Sequence, residues 1–530
     1  MTRLWPRLLL ALGSGFGLAL AFPPQNIALL AWCSLAGLIV ALRGARPGQA
    51  ALVGFLHGVV LATASVPWVY TVMRVHGRLP VMSAVGVLAL MVAAFALFPA
   101  AFAVAVARIA RKSSTLACVA APFVWTALEF GRTHLPIIGF PWNLLGYAVG
   151  GNRALVQLAA LGGIYGLSWL VAGYNALLAW VALESGSGRR RAGFAVLLGV
   201  TAAVLVVARF GGRLVPGAEP THRARLVQTN LAQSGYAADW MERYAADLDE
   251  LERLSTEVRD GLPDLVVWPE VPAPFSFQNH KFAARAEGIA RVGGSNFLLG
   301  VVEWRPTGTA ESGAAANLAP YNSAALLDAE GRRVFLYDKI HLVPFGEYVP
   351  LRQWLTFAKK LTAEVGDFLP GSEYKVGVTA AGRGGGSGSG SAGGGPHGGR
   401  FSVLICYEAV FPGEVRRFVV NGAELLVNLS NDGWFGRSGA PEQHLAMARV
   451  RAVENRRWLL RATNNGHTVA VDPYGRYAAR MAPDARGALD APYAFRSDLT
   501  LYARWGDWVA WVSVAAAAAC LVLARGPGRT

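Results

Sequence analysis

Three residues whose side chains could share one reaction stand directly beyond strand-like runs. Glu270 ends Leu265-Val266-Val267-Trp268-Pro269-Glu270, Lys339 ends Val334-Phe335-Leu336-Tyr337-Asp338-Lys339, and Cys406 ends Phe401-Ser402-Val403-Leu404-Ile405-Cys406. Site residues of open α/β sheets collect beyond strand ends, so a carboxylate, an ammonium and a thiol can meet at one edge of a domain. A thiol with an ordinary pKa of about 8.5 needs a base and a nearby cation to act near neutral pH. Glu270 is suited to take that proton and return it to a leaving group. Lys339 is suited to stabilise the thiolate and the oxyanion of a tetrahedral intermediate. Taken singly, each has a plainer reading: a loop acid, an ion pair with Asp338, a core cysteine.

The elements that would position them lie in a mixed α/β segment, 217–498. Phe297-Leu298-Leu299-Gly300-Val301-Val302 and Leu425-Leu426-Val427-Asn428 read as further buried strands. Residues 238–259 form an amphipathic helical pattern with Leu248, Leu251 and Leu254 on one face, and 442–458 repeat it. The Gly- and Ser-rich tract 380–399 offers no side chains to pack and reads as a surface loop.

Outside that segment the chain is a different material. Over 530 residues it is 53% hydrophobic and only 16% charged, against about 25% charged in soluble domains. Apolar runs recur at 8–22, 27–42, 51–72, 81–107, 116–130, 155–183, 192–208 and 505–524. Several reach the roughly 20 residues that cross about 30 Å of hydrocarbon. Eight spans are expected, giving a membrane part at 1–216, the polar domain at 217–498, and a last span with a short tail at 499–530. A cleavable leader ending at Ala19-Leu20-Ala21 is the alternative for the first run.

The net charge of +15 invites a polyanion partner. Yet 217–498 hold 30 basic and 31 acidic residues, and the other 248 residues hold 19 basic and 3 acidic. The surplus flanks membrane segments, which argues against nucleic-acid binding. With the N-terminus inside, twelve of those basic residues fall on inner loops and seven on outer ones, the clusters Arg108/Arg111/Lys112 and Arg189-Arg190-Arg191 being inner. The positive-inside rule then places 217–498 outside. Trp68, Tyr70, Trp142, Tyr147, Trp505 and Trp508 fall at outer span ends, where rings suit the headgroup level or could line an acyl entry.

Of four cysteines, Cys33, Cys118 and Cys520 lie in apolar runs and Cys406 stands alone in the polar domain, so no disulfide framework is expected. The nine histidines show no ligand spacing, and neither a metal nor a cofactor is expected.

The strings Val267-Trp268-Pro269-Glu270, Tyr337-Asp338-Lys339-Ile340-His341-Leu342-Val343-Pro344-Phe345-Gly346-Glu347-Tyr348-Val349-Pro350 and Ile405-Cys406-Tyr407-Glu408 resemble the signatures of the nitrilase, or carbon–nitrogen hydrolase, superfamily. The Lys339 string, with Asn428-Leu429-Ser430-Asn431-Asp432-Gly433-Trp434-Phe435-Gly436 and Ala462-Thr463-Asn464-Asn465-Gly466, resembles its membrane-bound branch, the apolipoprotein N-acyltransferases. That resemblance implies a multi-span α-helical membrane bundle carrying an α/β nitrilase-like αββα sandwich. It implies Glu270 as general base, Lys339 as oxyanion-stabilising cation and Cys406 as acylated nucleophile. Glu347 matches a carboxylate supporting the Lys, and Tyr407, Glu408 and Trp434 match positions near the site. The sequence departs at Gln233-Ser234-Gly235-Tyr236-Ala237, which lacks an expected Trp, and in a longer Gly-rich tract.

The implied reaction is a two-step transfer from a membrane phospholipid, through a Cys406 thioester, to the N-terminal diacylglyceryl-cysteine of an apolipoprotein. The expected setting is a monomer in the bacterial inner membrane with its catalytic domain on the periplasmic side. The same triad serves an amidase or nitrilase-type hydrolase that discharges the thioester to water, and a scaffold that has lost chemistry is the third reading.

Overall fold

The computed structural model describes residues 4–135, 139–232, 240–259, 261–307, 317–348, 368–380 and 398–524. The 233–237 stretch, most of the Gly-rich tract (381–397), and Val349 and Pro350 lie outside the described residues.

Each apolar run contains a helix. Five are long and apolar enough to cross a membrane: Pro47–Ser65, Val81–Ala110, Ser114–Thr133, Leu155–Leu183 and Ser187–Arg213. Three shorter apolar helices, Leu4–Leu20, Ala28–Ala41 and Trp508–Leu523, pack beside them. Local chemistry sets their starts: Pro47 occupies a first-turn position where its missing N–H costs nothing, and the Ser113 hydroxyl accepts from Leu116 N. Leu155–Leu183 is mostly buried and forms the centre of the bundle. Ser187–Arg213 is mostly unburied and turns Phe194, Leu198 and Val206 outward, as a lipid-facing helix does.

The polar domain is a four-layer sandwich. Strands β1 (His222–Gln228), β2 (Leu265–Val267), β3 (Asn296–Thr307), β4 (Asn317–Leu327) and β5 (Arg333–Asp338) form one sheet. Strands β6 (Gly377–Val378), β7 (Arg400–Ile405), β8 (Leu425–Ser430), β9 (Trp458–Thr463), β10 (Val469–Val471) and β11 (Tyr477–Arg480) form the second. Strand β12 (Gly487–Tyr493) returns to the first, giving orders β12-β1-β2-β3-β4-β5 and β11-β10-β9-β8-β7-β6. β1-β2-β3 and β7-β8-β9 are parallel and their outer neighbours antiparallel.

Alternation divides the side chains between layers. Leu226, Val267, Leu298 and Leu326 meet Val403, Ile405 and Val427 between the sheets. Val227, Val266, Phe297 and Leu299 point the other way, onto helices Ala245–Thr256 and His280–Gly293. Pro412–Val420 and Ala440–Asn455 cover the second sheet.

Two helical readings need correction. The run expected over 238–259 is a short turn, Trp240–Arg243, then Ala245–Thr256, interrupted at Tyr244. The run expected over 442–458 ends at Asn455, because Arg456 takes a left-handed φ of 53° that stops the helix, and Trp458 opens β9. This helix is buried on both sides, since one face meets the sheet and the other the membrane bundle.

Its bundle-facing residues join the two parts. Glu454 accepts from Ile164 N at 2.7 Å, Arg451 donates to the Tyr147 hydroxyl at 2.8 Å, and Gln443 donates to the carbonyls of Pro23 and Ser65. At the far end of the bundle Arg7 donates to the Arg43 carbonyl and Lys112 to that of Leu523. The sandwich therefore sits at the opposite end from those basic loops.

Candidate active site

Glu270, Lys339 and Cys406 come from three different strand ends, and the sandwich brings them together. Lys339 is 1% exposed and lies between two carboxylates, 3.1 Å from Glu270 and 3.0 Å from Glu347. The Asn322 amide on β4 donates to both acids, at 2.9 and 2.7 Å. Glu270 also accepts from Asn431 N at 3.0 Å, and Glu347 from Val343 N at 2.8 Å. Two carboxylates and one ammonium leave a net negative charge, spread over amide N–H groups that cannot themselves ionise. Burial would lower the Lys339 pKa, but Glu270 and Glu347 outweigh it and hold the ammonium above its ordinary value.

Cys406 sits at a sharp strand-to-helix corner, ending β7 and opening the short turn Cys406–Val410. Its φ of 50° lies in the left-handed region, as do those of Val271 (23°) after Glu270 and Phe345 (62°) before Glu347. Such backbone persists in L-residues where the surroundings over-determine it. Burial and then the Glu270 carboxylate push the Cys406 thiol up, with Lys339 pulling the other way and losing. Burial thus counts for more at this thiol than the neighbouring Lys339 ammonium.

A second buried network holds that corner. Arg461 grips Asp432 through two contacts, 2.9 and 2.8 Å, and also bonds Asn428. Burial would raise the Asp432 carboxyl, but Arg461 and His444 hold it well below the usual carboxylate range. Burial and Arg461 lower the His444 pKa while Asp432 raises it. The His444 Nδ1 lies 3.2 Å from both Arg461 and Asp432, and its Nε2 donates to the Cys406 carbonyl at 3.1 Å.

The remaining expected residues spread around this core. Glu408 accepts from the Tyr337 hydroxyl (2.7 Å), Ile340 N (2.7 Å), His341 N (3.3 Å) and Ile405 N (2.7 Å), tying the Lys339 loop to the Cys406 corner. Burial pushes its carboxyl up to about 7 against the pull of those donors. The Tyr407 hydroxyl donates to the Gly139 carbonyl at 3.3 Å, and its ring lies near Phe140, 6.4 Å between centroids. Trp434 stands edge-on to His76 of the membrane domain at 4.8 Å, so it belongs to the seam between domains.

Asn322, His444 and Arg461 are site residues that sequence reasoning missed. The available signal was a polar residue inside an apolar strand or helix, as in Tyr321-Asn322-Ser323-Ala324-Ala325-Leu326-Leu327. Gly300 on β3 underlies Glu270: a Cβ there would stand 2.5 Å from Pro269 O, 2.7 Å from Val271 N and 2.8 Å from Glu270 Cα. All three are backbone atoms with nowhere to retreat. Gly300→Ala is expected to cost about 1–3 kcal/mol and to lower activity at least about tenfold by displacing Glu270. Thermal melting and activity measurements check this, and unchanged values in both would contradict it.

Near Cys406 the membrane bundle holds a cavity of about 60 Å³. Leu61, Ser65, Phe95, Phe98, Phe140 and Trp142 are among its lining. The triad side chains are outside it, but Phe140 neighbours Tyr407 and Trp142 neighbours His444, 5.9 Å between centroids. Trp68 (8% exposed), Trp142 (2%) and Tyr147 (4%) are buried between the domains rather than displayed at a lipid headgroup level, whereas Trp505 is 66% exposed.

Residues 14–177 match the family description "Apolipoprotein N-acyltransferase N-terminal domain", and residues 223–494 match "Carbon-nitrogen hydrolase". The apolipoprotein N-acyltransferase of Geobacter metallireducens is 36% identical over 522 residues, covering 97% of this chain and 95% of its own. That of Methylococcus capsulatus is 35% identical, covering 95% and 93%. Among solved structures an amidase from Nesterenkonia sp. aligns with 55% of this chain and 94% of its own, at 20% identity and a TM-score of 0.37. With both of its parts matched and relatives of this identity spanning almost its whole length, the chain belongs to the apolipoprotein N-acyltransferase family.

Proposed function

We propose that the protein moves a fatty acyl chain from a membrane phospholipid to the α-amino group of the N-terminal diacylglyceryl-cysteine of an apolipoprotein. The observation that carries this reading is a buried Glu-Lys-Cys constellation set against a membrane bundle whose cavity, lined mostly by apolar side chains but also by Glu129 and Arg132, reaches the neighbours of Cys406. The cavity takes the donor's acyl chain.

In the first half-reaction the Cys406 sulfur attacks the ester carbonyl while Glu270 takes the thiol proton. An S–C bond forms, the ester C–O bond breaks, and Glu270 returns the proton to the departing lysophospholipid as its hydroxyl. Lys339 carries the charge that develops on the carbonyl oxygen. In the second, the acceptor amine attacks the thioester; an N–C bond forms, the C–S bond breaks, and Glu270 carries the amine's proton back to sulfur. Glu347 and Asn322 hold Lys339 in place, Glu408 holds the two loops together, and Tyr407 and Trp434 face the membrane domain.

The setting follows from the charges. Arg7, Arg43 and Lys112 mark one end of the bundle and the sandwich the other, which supports a reading with the basic loops in the cytoplasm and catalysis on the periplasmic face of the inner membrane. Both substrates are lipid-anchored, and a monomer can find them by lateral diffusion. Purified protein given phospholipid and a diacylglyceryl peptide is expected to release lysophospholipid and form N-acylated peptide. Release of free fatty acid with no N-acylated peptide would make it a hydrolase.

A further inference from the structure

Gln443 stands next to His444 on helix Ala440–Asn455, is 3% exposed, and touches no residue of the triad network. Its side chain is fully satisfied by the membrane domain. The amide nitrogen donates to the carbonyls of Pro23 (2.8 Å) and Ser65 (2.9 Å). The oxygen accepts from the indole nitrogens of Trp142 (2.6 Å) and Trp68 (3.3 Å). One amide thus uses both donors and both acceptor positions across four segments. Two of those partners, Ser65 and Trp142, line the cavity, and Trp68 packs on Trp142 at 4.9 Å. The next residue along the helix, His444, holds the Cys406 carbonyl.

We propose that Gln443 is a positioning residue for the acyl chain: it sets the tryptophan wall of the cavity in register with the corner that His444 holds. The inference rests on the acyl-transfer reading above. A chain seated in the cavity then presents its ester at a fixed distance from sulfur, because wall and nucleophile hang from consecutive residues of one rigid helix. Registration of this kind governs rate, since misplacement of about 1 Å costs up to about 100-fold. Donors with chains too short to fill the cavity do not use the wall and are indifferent to it.

The test compares Cys406 thioester formation, by quenched intact-mass measurement on the full chain in detergent, from dipalmitoyl and dihexanoyl phospholipids sharing one headgroup. Gln443→Met keeps side-chain volume and removes all four hydrogen bonds. It is expected to slow acylation by the long-chain donor about tenfold or more and by the short-chain donor less than twofold. Trp142→Phe keeps a ring and removes the shortest of the four bonds, and is expected to give the same split, which covers the case in which Gln443→Met does not fold. Equal loss with both donors, or no loss with either, in the folded variants overturns the inference. A wild-type protein that forms no thioester with either donor overturns the acyl-transfer reading instead.

Discussion

Lys339→Met is expected to lower the rate of Cys406 acylation by about 100- to 1,000-fold, the loss associated with removing one oxyanion-stabilising donor. It is also expected to cost about 3–5 kcal/mol of stability, because Glu270 and Glu347 would then face each other, buried, without the ammonium between them. The two effects separate in Lys339→Met/Glu347→Gln, which relieves the repulsion. Stability should recover in the double variant and activity should not. Thermal melting and quenched acylation decide; recovery of activity would reduce Lys339 to a structural counter-ion. Because the folded pKa of Lys339 is raised above its unfolded value of about 10.4, its contribution to stability is complete below that pH. It is lost only as pH rises through the higher folded value. The Lys339-dependent stability difference should therefore be flat from pH 6 to 9.

Glu270→Gln is expected to slow both half-reactions by about 100- to 10,000-fold, the range for removing a positioned proton carrier. Its sharper consequence has the opposite sign. Glu270 is the second cause, after burial, holding the Cys406 thiol up, and Lys339 opposes both. Removing the carboxylate's charge should move the pH midpoint for Cys406 alkylation by iodoacetamide downward, while Lys339→Met should move it upward. A variant with a more easily ionised thiol and slower acylation would show that proton carriage, not thiolate supply, limits the reaction. Faster acylation in Glu270→Gln would contradict this.

Glu270, Lys339 and Cys406 were legible as candidates because each stands where an apolar strand stops, and a polar residue there is visible in one dimension. The five helices of membrane-spanning length and the three shorter apolar ones were legible for a similar reason: continuous apolarity marks them without knowledge of packing. The groups that hold the site in place were hidden by their separation in the chain. Asn322 bridges Glu270 and Glu347 only because β4 lies between β3 and β5. His444 reaches Cys406 from a helix whose apolar pattern gave no sign of a second buried face. Trp68 and Trp142 look like headgroup-level rings in sequence, since a span end buried against another domain and one open to lipid have the same composition. The upward push on the Cys406 thiol was likewise unreadable, because it depends on burial outweighing a neighbouring cation.

The central claim is that Cys406 carries the acyl chain, and the mass of the proteolytic peptide containing Cys406, trapped after phospholipid addition, tests it most directly. The account predicts a mass increase of one donor acyl chain on Cys406, lost on adding a diacylglyceryl-cysteine peptide that is recovered N-acylated. An unmodified Cys406 peptide alongside released lysophospholipid, or the chain found on another residue, would contradict it.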